Sequence, residues 1–178
     1  IFGDVNPSGK LPITIPKSLS HLPEYDDYSM NNRTYRFTIH EPMFPFGFGL
    51  SYSNFIYSNL SINKHKIKSG DSIELNFQIY NDSEFLGEEV VQLYVKDMES
   101  SFRTPNSSLK FFKRIKLKPG EKRSVNVLVN KEMYSLINEN GLNEIEKGYY
   151  KIFVGGSSPG NRSTQLGKSL QEVSFLVQ

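Results

Sequence analysis

The sequence predicts a mainly β protein, an immunoglobulin-like antiparallel β-sandwich of about seven strands preceded by an irregular strap rich in aromatic residues. From about residue 54 onward, apolar residues recur at every second position. This period is typical of strands with one face on a core and one face outward. Turn-forming residues separate the alternating runs. Before residue 54 the chain is rich in Pro, Gly and aromatic residues and shows no period.

The strands of the predicted sandwich follow from individual runs. Five of them alternate clearly, at 73–79, 91–95, 125–129, 150–154 and 173–177. Strands near 54–62 and 109–117 bring the total to about seven, the number expected of an immunoglobulin-like sandwich. Only 131–138 has a briefly helical pattern. The chain contains neither Cys nor Trp, which argues against an antibody-type domain and favours the fibronectin type III-like variant.

Residues 1–20 and 21–53 differ from the sandwich and from each other. The first segment contains a turn at 6–9 and a short alternating run at 11–16, whose two prolines confine it to an edge strand or a strand end. We expect this run to belong to a sheet whose other strands lie outside the chain, and we expect the chain to be part of a longer polypeptide. Residues 21–53 form the strap, which is too aromatic for a flexible linker. The predicted sandwich occupies residues 54–178.

Charge and composition exclude several functional classes. The formal net charge is +2 and acids alternate with bases along most of the chain, so we expect no nucleic-acid partner and no membrane partner. The absence of Cys excludes thiol chemistry and disulfides. We expect no cofactor.

The acids and histidines of the sequence do not form a catalytic or metal-binding pattern. Asp26 and Asp27 are adjacent in an extended segment and therefore point to opposite sides, unlike the facing carboxyl pair of a glycosidase. The histidines His21, His40 and His65 lack acids at metal-ligand spacing. We therefore predict no catalytic residue and no metal site in this chain.

Several motifs, in this order, carry a family resemblance. They are Phe2-Gly3-Asp4-Val5-Asn6-Pro7-Ser8-Gly9-Lys10-Leu11-Pro12, Arg33-Thr34-Tyr35-Arg36-Phe37, Pro42-Met43-Phe44-Pro45-Phe46-Gly47-Phe48-Gly49-Leu50-Ser51-Tyr52, Gly87-Glu88-Glu89-Val90-Val91-Gln92-Leu93-Tyr94-Val95, Leu109-Lys110-Phe111-Phe112-Lys113-Arg114 and Lys118-Pro119-Gly120-Glu121. The ordered set resembles the C-terminal third of glycoside hydrolase family 3, the β-glucosidase and β-xylosidase group. The resemblance covers essentially the whole chain, although Phe111 stands where the family usually has Gly.

The resemblance implies a function for the chain as part of a larger enzyme. In the family, a (β/α)8 barrel supplies a nucleophilic Asp and an α/β sandwich domain supplies an acid/base Glu. Residues 1–20 would then be the last strand or tail of that α/β domain, and both catalytic carboxylates would lie upstream. We expect a non-catalytic region of a retaining exo-β-glycosidase, inactive alone, whose partners are the upstream catalytic domains and, through them, a β-linked oligosaccharide or glycoside. The resemblance also implies a periplasmic or extracellular location.

The sequence offers three candidate site residues and leaves two alternative functions open. Arg33, Tyr35 and Arg36 are candidates for an interdomain or substrate-proximal position, since arginine is common at interfaces. A carbohydrate-binding sandwich is the first alternative, suggested by side chains that we expect to face outward, those of Tyr80, Tyr94, Tyr149 and Phe153. An adhesion or scaffold module is the second, although the aromatic strap argues against it.

Overall fold

Two packed β-sheets make up most of the chain from Phe55 onward in the computed structural model, which describes residues 3–168 and 170–178. Ile1 and Phe2, with which the predicted first segment begins, lie outside the described residues. The sandwich region contains, in chain order, β3 (Phe55–Ile62), β4 (Lys66–Ile67), β5 (Ile73–Asn81), β6 (Gly87–Asp97), β7 (Ser108–Leu117), β8 (Lys122–Val129), α2 (Lys131–Tyr134), β9 (Leu136–Ile137), β10 (Asn143–Glu144), β11 (Gly148–Gly155), α3 (Asn161–Gln165) and β12 (Leu170–Val177). The preceding part contains β1 (Ile15–Pro16), a 3₁₀ helix (Leu19–His21), α1 (Thr34–Phe37) and β2 (Pro42–Phe44).

The sheets have the antiparallel topology that the sequence predicts. One sheet has five strands in the order β4-β12-β11-β6-β7, and the other has three in the order β3-β5-β8. Within these sheets the pairings are antiparallel except for the short β4, which pairs parallel to β12. Within the described residues, seven strands have eight or more residues, namely β3, β5, β6, β7, β8, β11 and β12. The prediction of a mainly β sandwich of about seven strands is confirmed.

The core lies between the two sheets and follows the period of two. In β5, the side chains of Ile73, Leu75, Phe77 and Ile79 are buried, while the residues between them are exposed or half-buried. β11 contributes Tyr150, Ile152 and Val154 from the opposite sheet in the same way. Because each buried side chain removes apolar area from water, this alternation supplies the main driving force for the fold.

Only the first half of the helical pattern at 131–138 forms a helix. α2 ends at Tyr134, and Leu136–Ile137 forms β9, which pairs with β10. The ring of Tyr134 is buried, and its hydroxyl donates to the carbonyl of Asp71 at 2.8 Å. The helix therefore ends where its tyrosine reaches into the sandwich. Among the described residues, no helix has the length and hydrophobicity needed to cross a membrane.

The segment before the sandwich forms a small sheet of its own. β1 pairs antiparallel with β2, with Ile15 opposite Phe44. The sequence analysis assigned no partner within the chain to the run at 11–16, and the structure provides one from the strap. Whether this two-stranded sheet continues into a larger one stays a prediction, as do the domain boundaries at 20 and 53.

Candidate functional site: the junction between the strap and the sandwich

The strap lies across the outer face of the five-stranded sheet and is bonded to it through buried polar groups. The side-chain amide of Gln92 in β6 donates to the carbonyls of Gly47 at 3.0 Å and Gly156 at 2.9 Å. The carbonyl of Phe46 accepts from the backbone N–H of Ser158 at 2.8 Å. We call this contact region the junction. These amide and carbonyl groups satisfy one another away from water, as buried polar groups generally do.

Two glycines of the strap explain why the Phe-Gly-Phe-Gly sequence is required here. Gly47 has a φ of +76°, and a Cβ placed on it would lie 2.0 Å from Oε1 of Gln92. A Cβ on Gly49 would lie 2.0 Å from the carbonyl oxygen of Gly9. Only a residue without a side chain allows these approaches. The motif is therefore a docking element that fits the strap against both β6 and the first segment.

The first segment is held by a buried ion pair. Nζ of Lys10 lies 2.6 Å from Oε1 of Glu89 and donates to the carbonyl of Gly156 at 3.1 Å. The Glu89 carboxyl is almost fully buried, and this burial raises its pKa against the opposing effect of Lys10. Burial also lowers the pKa of the nearby Lys168, and the charge of Lys10 lowers it further. The pKa values of Glu89 and Lys168 thus both depend on the charge of Lys10.

Glu89 is not among the site residues predicted from the sequence. A signal for its burial was nevertheless present. Glu89 is in phase with Val91 and Leu93, whose side chains face the core. A carboxylate at an inward-facing strand position needs a cationic partner. The identity of that partner, Lys10, could not be read from the sequence.

Tyr35 is the one predicted site residue that belongs to the junction. Its ring stacks on Phe46 at 4.4 Å between centroids and meets the edge of Tyr94 at 5.8 Å. Its hydroxyl accepts from the backbone N–H of Leu109 at 3.1 Å. The preceding Thr34 has a φ of +55°, which is strained for a β-branched residue. The strap therefore holds Tyr35 in place at a conformational cost.

Arg33 and Arg36 lie apart from this contact. Nε of Arg33 donates to the carbonyl of Ser29 at 3.0 Å and an Nη donates to the carbonyl of Asp27, so this guanidinium stabilises a turn of the strap. Arg36 is exposed, and its guanidinium lies 5.7 Å from the ring centroid of Phe37. Arg103 approaches the same ring at 4.8 Å. In residues 3–168 and 170–178, neither Arg36 nor Arg103 pairs with a carboxylate.

The positive charge of Arg36 acts on a partly buried lysine, Lys110. Burial lowers the pKa of Lys110, and the positive charge of Arg36 lowers it further. Lys110 donates to two backbone carbonyls, those of Glu132 and Ser135. The surface beside α1 therefore carries positive charge that the described residues leave without a counter-charge.

The predicted aromatic platform is not assembled. Tyr94 faces away from the sandwich core as expected, but the strap covers it completely and its hydroxyl donates to Oε1 of Gln92 at 2.5 Å. Tyr80 lies on the three-stranded sheet, whereas Tyr149 and Phe153 lie on the five-stranded sheet. Tyr94 therefore faces outward as predicted but is not available for a platform, because the strap covers the sheet as a third layer that the period of a strand does not reveal.

Asp27 and the three histidines make contacts within the chain. Oδ1 of Asp27 accepts from the N–H of Ser29 at 2.8 Å, and hydrogen bonding to Ser29 lowers the pKa of this carboxyl. His21 and His40 stack at 4.3 Å, while Nδ1 of His65 lies 3.1 Å from the carbonyl of Ser174 in β12. Within the described parts of the chain, no group of three or more His, Cys, Asp or Glu side chains is placed to hold a metal ion.

Comparison with known families finds two matches within the chain. Residues 1–52 match the glycosyl hydrolase family 3 C-terminal domain, and residues 89–158 match the fibronectin type III-like domain. The chain is 38% identical to a putative β-xylosidase from Formosa agariphila, covering 92% of this chain and 22% of that protein. It is 37% identical to thermostable β-glucosidase B from Acetivibrio thermocellus, with 89% and 23% covered. A periplasmic β-glucosidase from Salmonella typhimurium is 31% identical, with 89% and 22% covered.

Solved structures give the same result. A β-glucosidase from Erythrobacter marinus superposes with a TM-score of 0.81 at 32% identity, over 99% of this chain and 22% of that one. A β-glucosidase from Listeria innocua in complex with glucose superposes with a TM-score of 0.77 at 28% identity, over 97% and 24%. The chain thus spans less than a quarter of the length of these relatives. It belongs to glycoside hydrolase family 3 and corresponds to the C-terminal region of the β-glucosidases and β-xylosidases, including their fibronectin type III-like domain.

Proposed function

We propose that this chain is the non-catalytic brace of a retaining exo-β-glycosidase of the β-glucosidase or β-xylosidase type. The observation that carries the proposal is the junction. Buried bonds lock the first segment and the strap onto the sandwich, through the Lys10–Glu89 ion pair and the Gln92 amide. A segment fixed in this way can hold neighbouring domains at a defined position. The resemblance assigns both catalytic carboxylates to domains upstream.

The outer side of the first segment and the strap provides the surface for this contact. More than half of the exposed large apolar side chains of the described residues lie between Val5 and Tyr52. Leu19, Tyr25 and Tyr28 are 83%, 98% and 91% exposed. Exposed apolar residues in such density are typical of surfaces that another domain covers. The catalytic domains of the same polypeptide are the partners that we propose.

Arg36 is proposed to contribute an interdomain contact, together with Arg103. Both guanidiniums flank Phe37 and, within the described residues, have no carboxylate partner. An acidic side chain of a catalytic domain would neutralise them through paired hydrogen bonds. Arg33 and Tyr35 support this surface from inside the chain by fixing the strap on which Arg36 lies.

The location proposed for the whole protein is periplasmic or extracellular. The support is the similarity to a protein named as a periplasmic β-glucosidase, at 31% identity. Fractionation of the source cells, followed by detection of this sequence in the periplasm or the medium, would test it. Detection only in the cytoplasm would contradict it.

The bracing function is tested by comparing the 178-residue chain with the full-length protein that contains it. The chain alone should not hydrolyse nitrophenyl β-glucoside or β-xyloside. The variant Leu19→Ser, Tyr25→Ser, Tyr28→Ser should leave the Tm of the chain unchanged, since these side chains are exposed there. In the full-length protein the same variant should lower the Tm by about 4 °C or more, because apolar area buried against the catalytic domains is lost.

A matched control uses exposed apolar residues of the sandwich. The variant Leu128→Ser, Leu142→Ser replaces side chains that are 59% and 63% exposed and lie outside the strap. It should leave the Tm of both proteins unchanged. Equal effects of the two variants in the full-length protein would refute the proposed contact surface. Hydrolysis by the chain that persists through repurification would refute its non-catalytic nature.

A further inference from the structure

A groove lies beside the junction, between the strap, the outer face of the five-stranded sheet and α3. Its volume is about 760 Å³, which is within the range of small-molecule sites. Lys96, Phe153 and Glu172 form its floor on β6, β11 and β12, and Phe153 is directly opposite Glu172 in the sheet. Residues 38–42 of the strap and 158–164 around α3 form its walls. The strap and the sandwich therefore form the groove jointly.

The acidic side chains of the groove are already neutralised. Glu41 forms an ion pair with Lys17. Oε1 of Glu172 lies 2.9 Å from Nζ of Lys151, its neighbour on β11. These two carboxylates therefore do not offset the charge of the cations that line the groove.

The cations that line the groove lack such partners. The ammonium of Lys96 forms no ion pair or hydrogen bond with any residue that the structure describes. The guanidinium of Arg162 donates only to neutral groups, the carbonyl of Met43 at 3.0 Å and the amide oxygen of Gln165 at 3.2 Å. The groove thus carries excess positive charge in a partly enclosed space, where an anion is attracted more strongly than on an open surface.

The remaining lining indicates what kind of anion fits. The lining includes residues that carry hydroxyl or amide groups, namely Thr14, Thr38, Asn106, Ser107, Asn161 and Thr164. The rings of Phe153 and Tyr35 add apolar surface. A groove of this volume is much larger than a simple inorganic anion needs, and its many neutral hydrogen-bonding groups match the hydroxyl groups of a sugar.

We propose that this groove binds an acidic oligosaccharide, with the carboxylate of a uronate residue contacting Lys96 and Arg162. A carboxylate pairs well with a guanidinium and an ammonium. The hydroxyl and amide groups of the walls bind the sugar hydroxyls, and Phe153 contacts the apolar C–H groups of a pyranose ring. The groove is formed within the described residues, so this binding does not require that the strap contact other domains.

The test is isothermal titration of the 178-residue chain with two matched probes. One is xylotriose bearing a single glucuronate, and the other is the neutral xylotetraose. The acidic probe should bind saturably, and the neutral probe should bind about tenfold more weakly, because one charge-assisted contact is worth roughly 1.4 kcal/mol, a factor of ten. Inorganic phosphate at equal concentration should not displace the acidic probe.

Two variants connect the binding to the groove. Lys96→Gln should weaken binding of the acidic probe about tenfold and leave binding of the neutral probe unchanged. The control Lys64→Gln changes an exposed lysine between β3 and β4 and should change neither. Since the Lys96 side chain makes no bond within the described residues, its variant should retain the thermal stability of the parent.

The outcomes decide between the alternatives. Absence of saturable binding by the acidic probe, or equal binding of both probes, would overturn the proposal. Displacement by phosphate would show an unspecific anion patch and would also overturn it. Inactivity of the chain towards nitrophenyl glycosides, which tests the bracing function, is a separate measurement and is independent of these results.

Discussion

The sandwich and the strap are stabilised in different ways. The sandwich has a continuous apolar core in which strands of both sheets bury side chains such as Leu75 and Ile152 completely. Among the described residues before Phe55, Phe48 and Pro45 are the only buried residues with an apolar side chain, and Phe48 is the only aromatic one. The first segment and the strap are held instead by an ion pair, amide hydrogen bonds and stacked rings.

This difference predicts different responses to mutation. An apolar core is non-directional and shares its stabilisation among many contacts. The junction relies on a few directional bonds, each of which leaves a buried polar group without a partner when it is lost. We therefore expect core substitutions to destabilise the whole fold, whereas junction substitutions should release the strap while the sandwich stays folded.

The largest effect is expected from a cavity in the core. Leu93 is fully buried in β6, and Leu93→Ala should lower the free energy of unfolding by about 2–5 kcal/mol. Urea denaturation monitored by circular dichroism measures this loss. The matched control is Leu128→Ala in β8, where the same side chain is 59% exposed, so a change within about 0.5 kcal/mol is expected. Similar losses for both variants would contradict the assigned core.

An intermediate effect is expected from breaking the buried ion pair. Lys10→Met removes the cation that pairs with Glu89. We expect this variant to lower the free energy of unfolding by about 1–3 kcal/mol. This is less than the roughly 3–5 kcal/mol of a fully enclosed pair, because release of the strap lets water reach the carboxylate. Hydrogen exchange at the amides of Leu11, Gly47 and Ser158, which bond across the junction, should become at least tenfold faster.

The control for this variant lies on the same segment. Lys17→Met removes the pair with Glu41, whose two side chains are 41% and 36% exposed. We expect the free energy of unfolding to fall by less than about 1 kcal/mol. Hydrogen exchange of the junction amides should be unchanged. If Lys10→Met accelerates exchange throughout β5 as strongly as at the junction, the strap and the sandwich unfold as one unit and the comparison fails.

The smallest effect is expected from the hydroxyl of Tyr35. Tyr35→Phe keeps the stack on Phe46 but removes the acceptor for the N–H of Leu109. We expect the free energy of unfolding, measured by urea denaturation, to fall by about 0.5–1.5 kcal/mol. Hydrogen exchange of the Leu109 amide should become faster. Tyr25→Phe changes a tyrosine that is 98% exposed and should have no effect. An unchanged exchange rate at Leu109 after Tyr35→Phe would show that this bond does not hold the strap.

The predictions made from sequence succeeded where structure depends on neighbouring residues and failed where it depends on distant ones. The alternating runs correctly identified the buried faces of β5 and β11, since strand geometry places every second side chain on one face. The same rule placed Tyr94 off the core, yet its burial depends on Tyr35, a residue of the strap. The phase of Glu89 in its strand is a signal for burial that was not used, and its partner Lys10 lies far away in the chain.

The family motifs show the same division. The order of the motifs identified the C-terminal region of glycoside hydrolase family 3. The reason for the glycines at 47 and 49 is tertiary, because Gln92 and Gly9 lie against them. Of the candidate residues, Tyr35 lies in the junction, Arg33 holds a turn of the strap, and Arg36 is exposed beside Phe37.

The sequence alone determined the sandwich, its approximate number of strands and the family. These properties follow from local alternation, turn residues and ordered motifs, all of which are encoded by residues close together in the chain. The tertiary structure alone decided the Lys10–Glu89 pair, the covering of Tyr94 and the groove around Lys96. The physical reason is that each of these depends on the path of the strap across the sheet, which is set by contacts between residues far apart in sequence.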